Sequence, residues 1–276
     1  LAAAFSCGAS GNAPPTYPWE PRLQGDALVL LGEVHDNGEQ QQLRLDALRR
    51  AILAGWRPAI AMEQFDREQQ GNIERARRDQ PRDVDYLIRT AAPDSVRPKG
   101  GWHWDYYRPY VALALEFDLP LLAANLSRAD AEKIVARGYS SVFDTASIER
   151  LGLARAPARR LAAQEREVDI GHCHALPRAM LPALARAQLA RDAVMAATLR
   201  DHVGSGAVLL TGNGHVRRDI GVPAWFDPSL RARVLAIGFL ERDDPQPPSA
   251  FDAVVVTSPA PRADPCAALR RSLRAP

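Results

Sequence analysis

Two short stretches hold the residues best suited to chemistry. Gly32-Glu33-Val34-His35-Asp36 and Gly212-Asn213-Gly214-His215 each place an imidazole three residues after a glycine, and Met62-Glu63-Gln64 adds a further carboxylate. If each stretch leaves its strand extended, the two-residue period sets Glu33 and His35 on one side, and likewise Asn213 and His215. Glu33, His35, Glu63 and His215 would then share one cleft. Two imidazoles and two carboxylates form a ligand set for a divalent metal such as zinc, manganese or iron. They are equally acid/base machinery that needs no metal. A lone Gly-x-x-His turn is ordinarily structural; two of them, each directly after an apolar run, favour a shared site.

Other stretches are more ambiguous. Gly171-His172-Cys173-His174 has the look of a metal knuckle, but His-Cys-His matches no standard zinc spacing and has no second pair nearby. His172 or His174 is better suited to lining a pocket. The run Trp102-His103-Trp104-Asp105-Tyr106-Tyr107-Arg108-Pro109-Tyr110 is either core or one wall of a flat apolar pocket for a planar ligand. Tyr107 and Tyr110, at the start of a helix, are placed to face such a cleft, and a tyrosine phenolate is a known iron ligand in haem proteins. His103 and His202 read as surface or core residues. Gln188, Arg191 and Asp192, on one late helix, read as an internal polar network.

These groups need a scaffold that brings strand ends together. Apolar runs at 27–31, 58–62, 119–124, 207–211, 234–239 and 253–257 read as buried strands. The first two flank a helix that starts near Asp36 and ends before Gly55, a β-α-β unit with parallel strands. Mostly helical stretches fill 66–118 and 127–202. The expected fold is α/β, one mostly parallel central sheet flanked by helices, spanning 22–276. In such sheets ligands gather at the carboxyl ends of the strands. Glu33, Glu63, Asn125 and His215 all follow strand ends.

Composition narrows the classes. The chain has 276 residues, 46% hydrophobic and 25% charged, with a net charge of +2. That is ordinary globular material. Basic residues are interspersed with acids, so no nucleic-acid-binding face is expected. No run of about 18 apolar residues suggests a membrane-spanning helix. Residues 1–8 read as the end of a signal peptide running into a lipid-acceptor cysteine, Cys7, although Ala4 stands where leucine is usual. Residues up to 21 then form a tether, and Cys7 would anchor the chain to a membrane. A secreted chain without lipid is the alternative. With Cys7 modified, Cys173 and Cys266 remain, and an oxidising compartment permits their pairing.

The ordered set of motifs resembles the ChaN family of bacterial envelope haem-binding proteins. The resemblance rests on Gly32–Asp36, Ala61-Met62-Glu63-Gln64-Phe65, Trp102 to Pro109, and Ala123-Ala124-Asn125-Leu126. It continues through His172-Cys173, Ala187 to Ala196, Gly212 to Pro223, and Asp264-Pro265-Cys266, spanning about residues 22 to 270. It implies an α/β sheet with a smaller helical subdomain, and a periplasm-facing lipoprotein, in the outer membrane, that handles haem in iron uptake. It further implies a homodimer that encloses haem, a tyrosine ligand to the iron, and a haem receptor or transporter as partner. Carried onto this chain, the haem-binding set is Tyr107, Tyr110, His35, His215, Arg217, His172 and Asn125, with Arg217 and Arg218 beside His215 for the propionates. The family is in turn similar to a wider group that includes erythromycin esterases and TIKI metalloproteases, whose paired Gly-x-x-His turns and glutamate perform hydrolysis. That alternative, a metal-dependent or acid/base hydrolase, uses Glu33, His35, Glu63 and His215. His174 departs from the family, which often has glycine there.

Overall fold

A computed structural model describes residues 16–93 and 101–274. Cys7 and the first part of the expected tether lie outside the described residues. Six strands, β1 (Leu28–Leu31), β2 (Ala59–Asp66), β3 (Leu121–Asn125), β4 (Ala207–Leu210), β5 (Val234–Glu241) and β6 (Ala253–Thr257), form one sheet, every pairing parallel. Central parallel strands are covered on both faces and so read as unbroken apolar runs. Leu28, Val29, Leu30 and Leu31 show this directly, with no exposed surface. Val29 and Leu31 enter one core; Leu28 and Leu30 enter the other.

Helices make both outer layers. On one face lie α1 (Gly38–Leu53), α2 (Gln70–Asp79), α3 (Val84–Ala91) and α4 (Trp104–Glu116). On the other, α5 (Arg128–Arg137), α6 (Thr145–Arg150), α7 (Ala158–Gly171) and α8 (Leu181–Arg200) surround the second core. Three short helices complete the chain: α9 (Asn213–Val216), α10 (Pro228–Arg231) and α11 (Pro265–Arg274). The cap of α1 is Asn37, whose side chain accepts from the Gln40 N–H, an orphan donor of the first turn. Asp36, where the sequence set the helix start, instead pairs with Arg262 at 2.7 Å. Among the described residues no helix is long and apolar enough to cross a membrane.

The strand order is β3-β2-β4-β1-β5-β6. The opening β-α-β unit therefore does not join neighbours: β4 enters between β1 and β2, pairing Leu28 with Ala207 on one side and Ala59 with Ala207 on the other. This insertion sets the end of β4 between the ends of β1 and β2.

Cys173 and Cys266 form a disulfide with Cα atoms 5.5 Å apart. It ties the loop between α7 and α8 to α11. Cys173 and His174 both have left-handed backbone, with φ of +58° and +54°. That conformation favours glycine, so two side-chain-bearing residues here need local support. Here the His174 imidazole bonds the Asp169 carboxylate at 2.7 Å, which helps to hold the turn.

Candidate functional site

Three adjacent strands, β2, β4 and β1, carry Glu63, the turn to His215, and Glu33 with His35 toward one edge; β2 runs on to Asp66, so Glu63 lies within the strand and not after its end as the apolar run suggested. The two turns interlock. A Cβ on Gly32 would stand 2.1 Å from Asn213 Oδ1, and a Cβ on Gly212 would stand 3.1 Å from both Cε1 and Nε2 of His35. Each glycine thus makes room for a side chain of the other turn. Asn213 exploits this space to bind β5, donating to the Phe239 carbonyl at 2.6 Å and accepting from its N–H at 3.0 Å.

Glu33 is the floor of the site. It is buried, and one oxygen accepts from the Tyr107 hydroxyl at 2.6 Å and meets His35 Nδ1 at 2.7 Å. Its other oxygen accepts from Gln41 Nε2 at 2.7 Å and from the fully buried Arg44 guanidinium. With Nδ1 held by a carboxylate, His35 carries its reactive nitrogen at Nε2. The ring is about half exposed, at 48% of its side-chain surface, and Trp102 meets it edge-on with centroids 4.9 Å apart.

A second carboxylate–imidazole pair faces the first. His215 Nδ1 meets Asp192 of α8 at 2.6 Å, and its Nε2 lies 3.7 Å from Glu63. Glu63 accepts from the Thr211 hydroxyl at 2.7 Å and from the Gly212 N–H at 2.9 Å. Burial alone would raise the Glu63 carboxyl. The His215 and His35 imidazoles and those two hydrogen bonds outweigh it and hold Glu63 down at about 2. Burial alone would likewise lower His215; the charge and hydrogen bond of Asp192, with Glu63 beyond, outweigh it and raise the imidazole, against an opposing push from Arg191.

The family model described as haem-binding uptake, Tiki superfamily, ChaN matches residues 20–226. The chain belongs to the ChaN family. The structure of ChaN of Campylobacter jejuni with cofacially bound haem is similar in fold, with a TM-score of 0.61 at 20% identity over 80% of this chain and 84% of that one. An erythromycin esterase mutant in its open conformation matches at a TM-score of 0.47 and 16% identity, over 84% of this chain and 76% of that one. A succinoglycan biosynthesis protein matches at 0.42 and 11%, over 81% and 68%. No curated protein sequence matches the chain.

Not every candidate of this ChaN-family chain lies at the cleft. Tyr107 and Tyr110 face inward from α4, fully buried, not outward onto a cleft wall. Tyr107 donates to Glu33, and Tyr110 donates to the Gln41 carbonyl at 2.8 Å. Burial raises both phenols, Tyr110 to about 12, although Arg44 opposes it. Arg217 is buried between Glu167 at 2.5 Å and Asp219 at 2.8 Å, and Arg218 pairs with Asp252, so both are already neutralised. His172 bonds the Val168 carbonyl beside the disulfide. Asn125 accepts from Arg191 at 2.6 Å.

Two expectations need correction. The second Gly-x-x-His turn is not extended. Asn213–Val216 is helical, so Asn213 and His215 diverge, one to β5 and the other to Asp192 and Glu63. The expected metal ligand set loses Glu33. Among the described residues no three His, Cys, Asp or Glu groups converge to hold a metal ion. Both Glu33 oxygens are engaged by Arg44, Gln41, Tyr107 and His35, while each imidazole, held at Nδ1 by a carboxylate, keeps its Nε2. Asp192, Thr211, Gln41 and Arg44 are site residues that the motif reading missed.

The charge pattern predicts a pH response. Glu63, lowered when folded, contributes stability that is present above its ordinary value of 4.5 and is lost as pH falls toward about 2. His215, raised when folded, contributes stability that is full below its ordinary 6.5 and is lost as pH rises through its folded value. Glu63→Gln is expected to remove the acid-side loss in urea denaturation and to lower the His215 pKa in an NMR titration. An unchanged His215 pKa would show that Glu63 does not act on it.

Proposed function

We propose that this chain binds haem at the carboxyl edge of its sheet and handles haem iron in the bacterial cell envelope, anchored by lipid on Cys7. The family match across residues 20–226 carries this reading. The donors present suit the group. His35 offers Nε2 from an exposed imidazole backed by a buried carboxylate, an arrangement that fixes the tautomer and raises ligand basicity. The Trp102 ring beside it supplies apolar surface. When bound, haem would bring iron and a planar apolar face; the chain's part is to ligate through His35, pack with Trp102 and exclude water. With the Tyr107 and Tyr110 hydroxyls engaged internally, His35 is a better ligand than either. A homodimer enclosing the haem and a receptor or transporter partner belong to the same reading.

Haemin titration followed by absorption tests it. The expected result is a saturable stoichiometric complex whose spectrum shifts in His35→Ala. Titration with no saturable complex, in monomer or dimer, would overturn it.

A second reading has its own observation: two carboxylate–imidazole pairs, Glu33–His35 and Asp192–His215, flank one ionised Glu63. In an acid/base hydrolase His35 is the general base, since its Nε2 lies on the exposed ring. Turnover of an ester or peptide that disappears in His35→Ala, with haemin bound only nonspecifically, would favour it.

A further inference from the structure

We propose that Arg191 is the carboxylate-gripping residue of this cleft, and that on haem it takes a propionate; the naming of haem rests on the haem-binding reading above. Arg191 directly precedes Asp192, the residue that orients His215, on α8. Its Nη1 donates to Asn125 Oδ1 at 2.6 Å and to the Leu126 carbonyl at 2.9 Å. Both acceptors are uncharged, and together they use both Nη1 hydrogens. The Nε–Nη2 edge remains, and that is a fork of parallel donors matching a carboxylate bidentately.

The other arginines around the strand ends are committed. Arg44 pairs with Glu33, Arg217 with Glu167 and Asp219, Arg218 with Asp252, and Arg262 with Asp36 and Glu241. Arg191 is half-buried and, among the described residues, in no ion pair. The two carboxylates around His215 answer to other donors, Asp192 to His215, and Glu63 to Thr211 and Gly212. The Arg191 partner Asn125 is the last residue of β3, the strand beside β2, so the guanidinium sits at the same sheet edge as Glu63. Asn125 thus acts at one remove, holding the guanidinium and not the ligand. A partly buried, anchored arginine with an open fork and no anion of its own selects a ligand that brings a carboxylate.

The test compares haemin with its dimethyl ester, in which both propionates are masked, on the full chain. Wild type is expected to prefer haemin by about 10-fold to 100-fold, the scale of one bidentate charge-assisted contact. Arg191→Gln is expected to lose that preference while binding the ester as wild type does. Arg191→Lys keeps the charge without the fork, so part of the preference should go; this variant serves if the glutamine variant does not fold. A preference kept in full by either variant, or equal losses for both porphyrins, would overturn the proposal. If wild type binds neither porphyrin, the haem reading fails by itself. Benzoate then decides the role of Arg191 through the His215 ring-proton NMR signal. A saturable shift in wild type that is absent from Arg191→Gln supports the grip; no shift, or the same shift in both proteins, overturns it.

Discussion

Glu33→Ala is expected to destabilise the fold by about 3–5 kcal/mol, the usual cost of leaving one member of a buried ion pair alone. Glu33 is 3% exposed and Arg44 has no exposed surface. Four donors converge on this one carboxylate: Arg44, Gln41, Tyr107 and His35. Truncation strands a guanidinium in the core and removes acceptors from a buried phenol and amide, each of which alone costs about 1–3 kcal/mol when left unmet. These losses overlap, so they do not add. Glu33→Gln keeps the volume but not the charge, and should recover only part of the loss. Glu33→Ala combined with Arg44→Met should recover more, because no buried charge then remains. Urea denaturation followed by circular dichroism measures all three. A cost below about 1 kcal/mol for Glu33→Ala would mean that solvent reaches Arg44 and that the pair is not closed off as it is here.

The same carboxylate illustrates what the sequence discloses. Val29 and Leu31 announce a buried strand because parallel strands in the sheet centre need apolar residues on both faces. Glu33, two residues beyond β1, is therefore visible as a strand-end group. Its buried partner Arg44 is not, since in sequence it looks like any arginine on an amphipathic helix. The entry of β4 between β1 and β2 is a long-range pairing that no local pattern encodes. Asp192 left a sharper trace. It falls at helical spacing among Leu189, Met195 and Ala196, inside the buried stripe of α8. A carboxylate in that stripe needs a partner, and His215 is the partner it has. Tyr107 and Tyr110 misled for the converse reason. Aromatics with hydroxyls suit both a cleft and a core, and α4 turns these two toward α1, where Glu33 and the Gln41 carbonyl satisfy them.

Replacing Cys173 and Cys266 with serine is expected to lower stability by about 2–5 kcal/mol, because the bridge closes a long loop. The two cysteines are 93 residues apart in sequence, so the unfolded chain regains much freedom when they are released. The folded chain also loses the covalent tie between the α7–α8 loop and the C-terminal segment. What remains close by is Arg262, whose ion pairs with Asp36 and Glu241 are partly exposed. Exposed pairs contribute roughly 0–1 kcal/mol, too little to stand in for the bridge. Hydrogen exchange should therefore quicken first in α11 and around His172–Ala175, while β1, β2 and β4 keep their protection until global unfolding. The consequence reaches the cleft, since Arg262 grips Asp36, the residue directly after His35. Urea unfolding of oxidised and reduced wild type, beside the double serine variant, gives the comparison. The reduced protein should match the variant. Equal midpoints for oxidised and reduced protein, or two free thiols in protein from its native compartment, would show that the bridge contributes nothing to the fold.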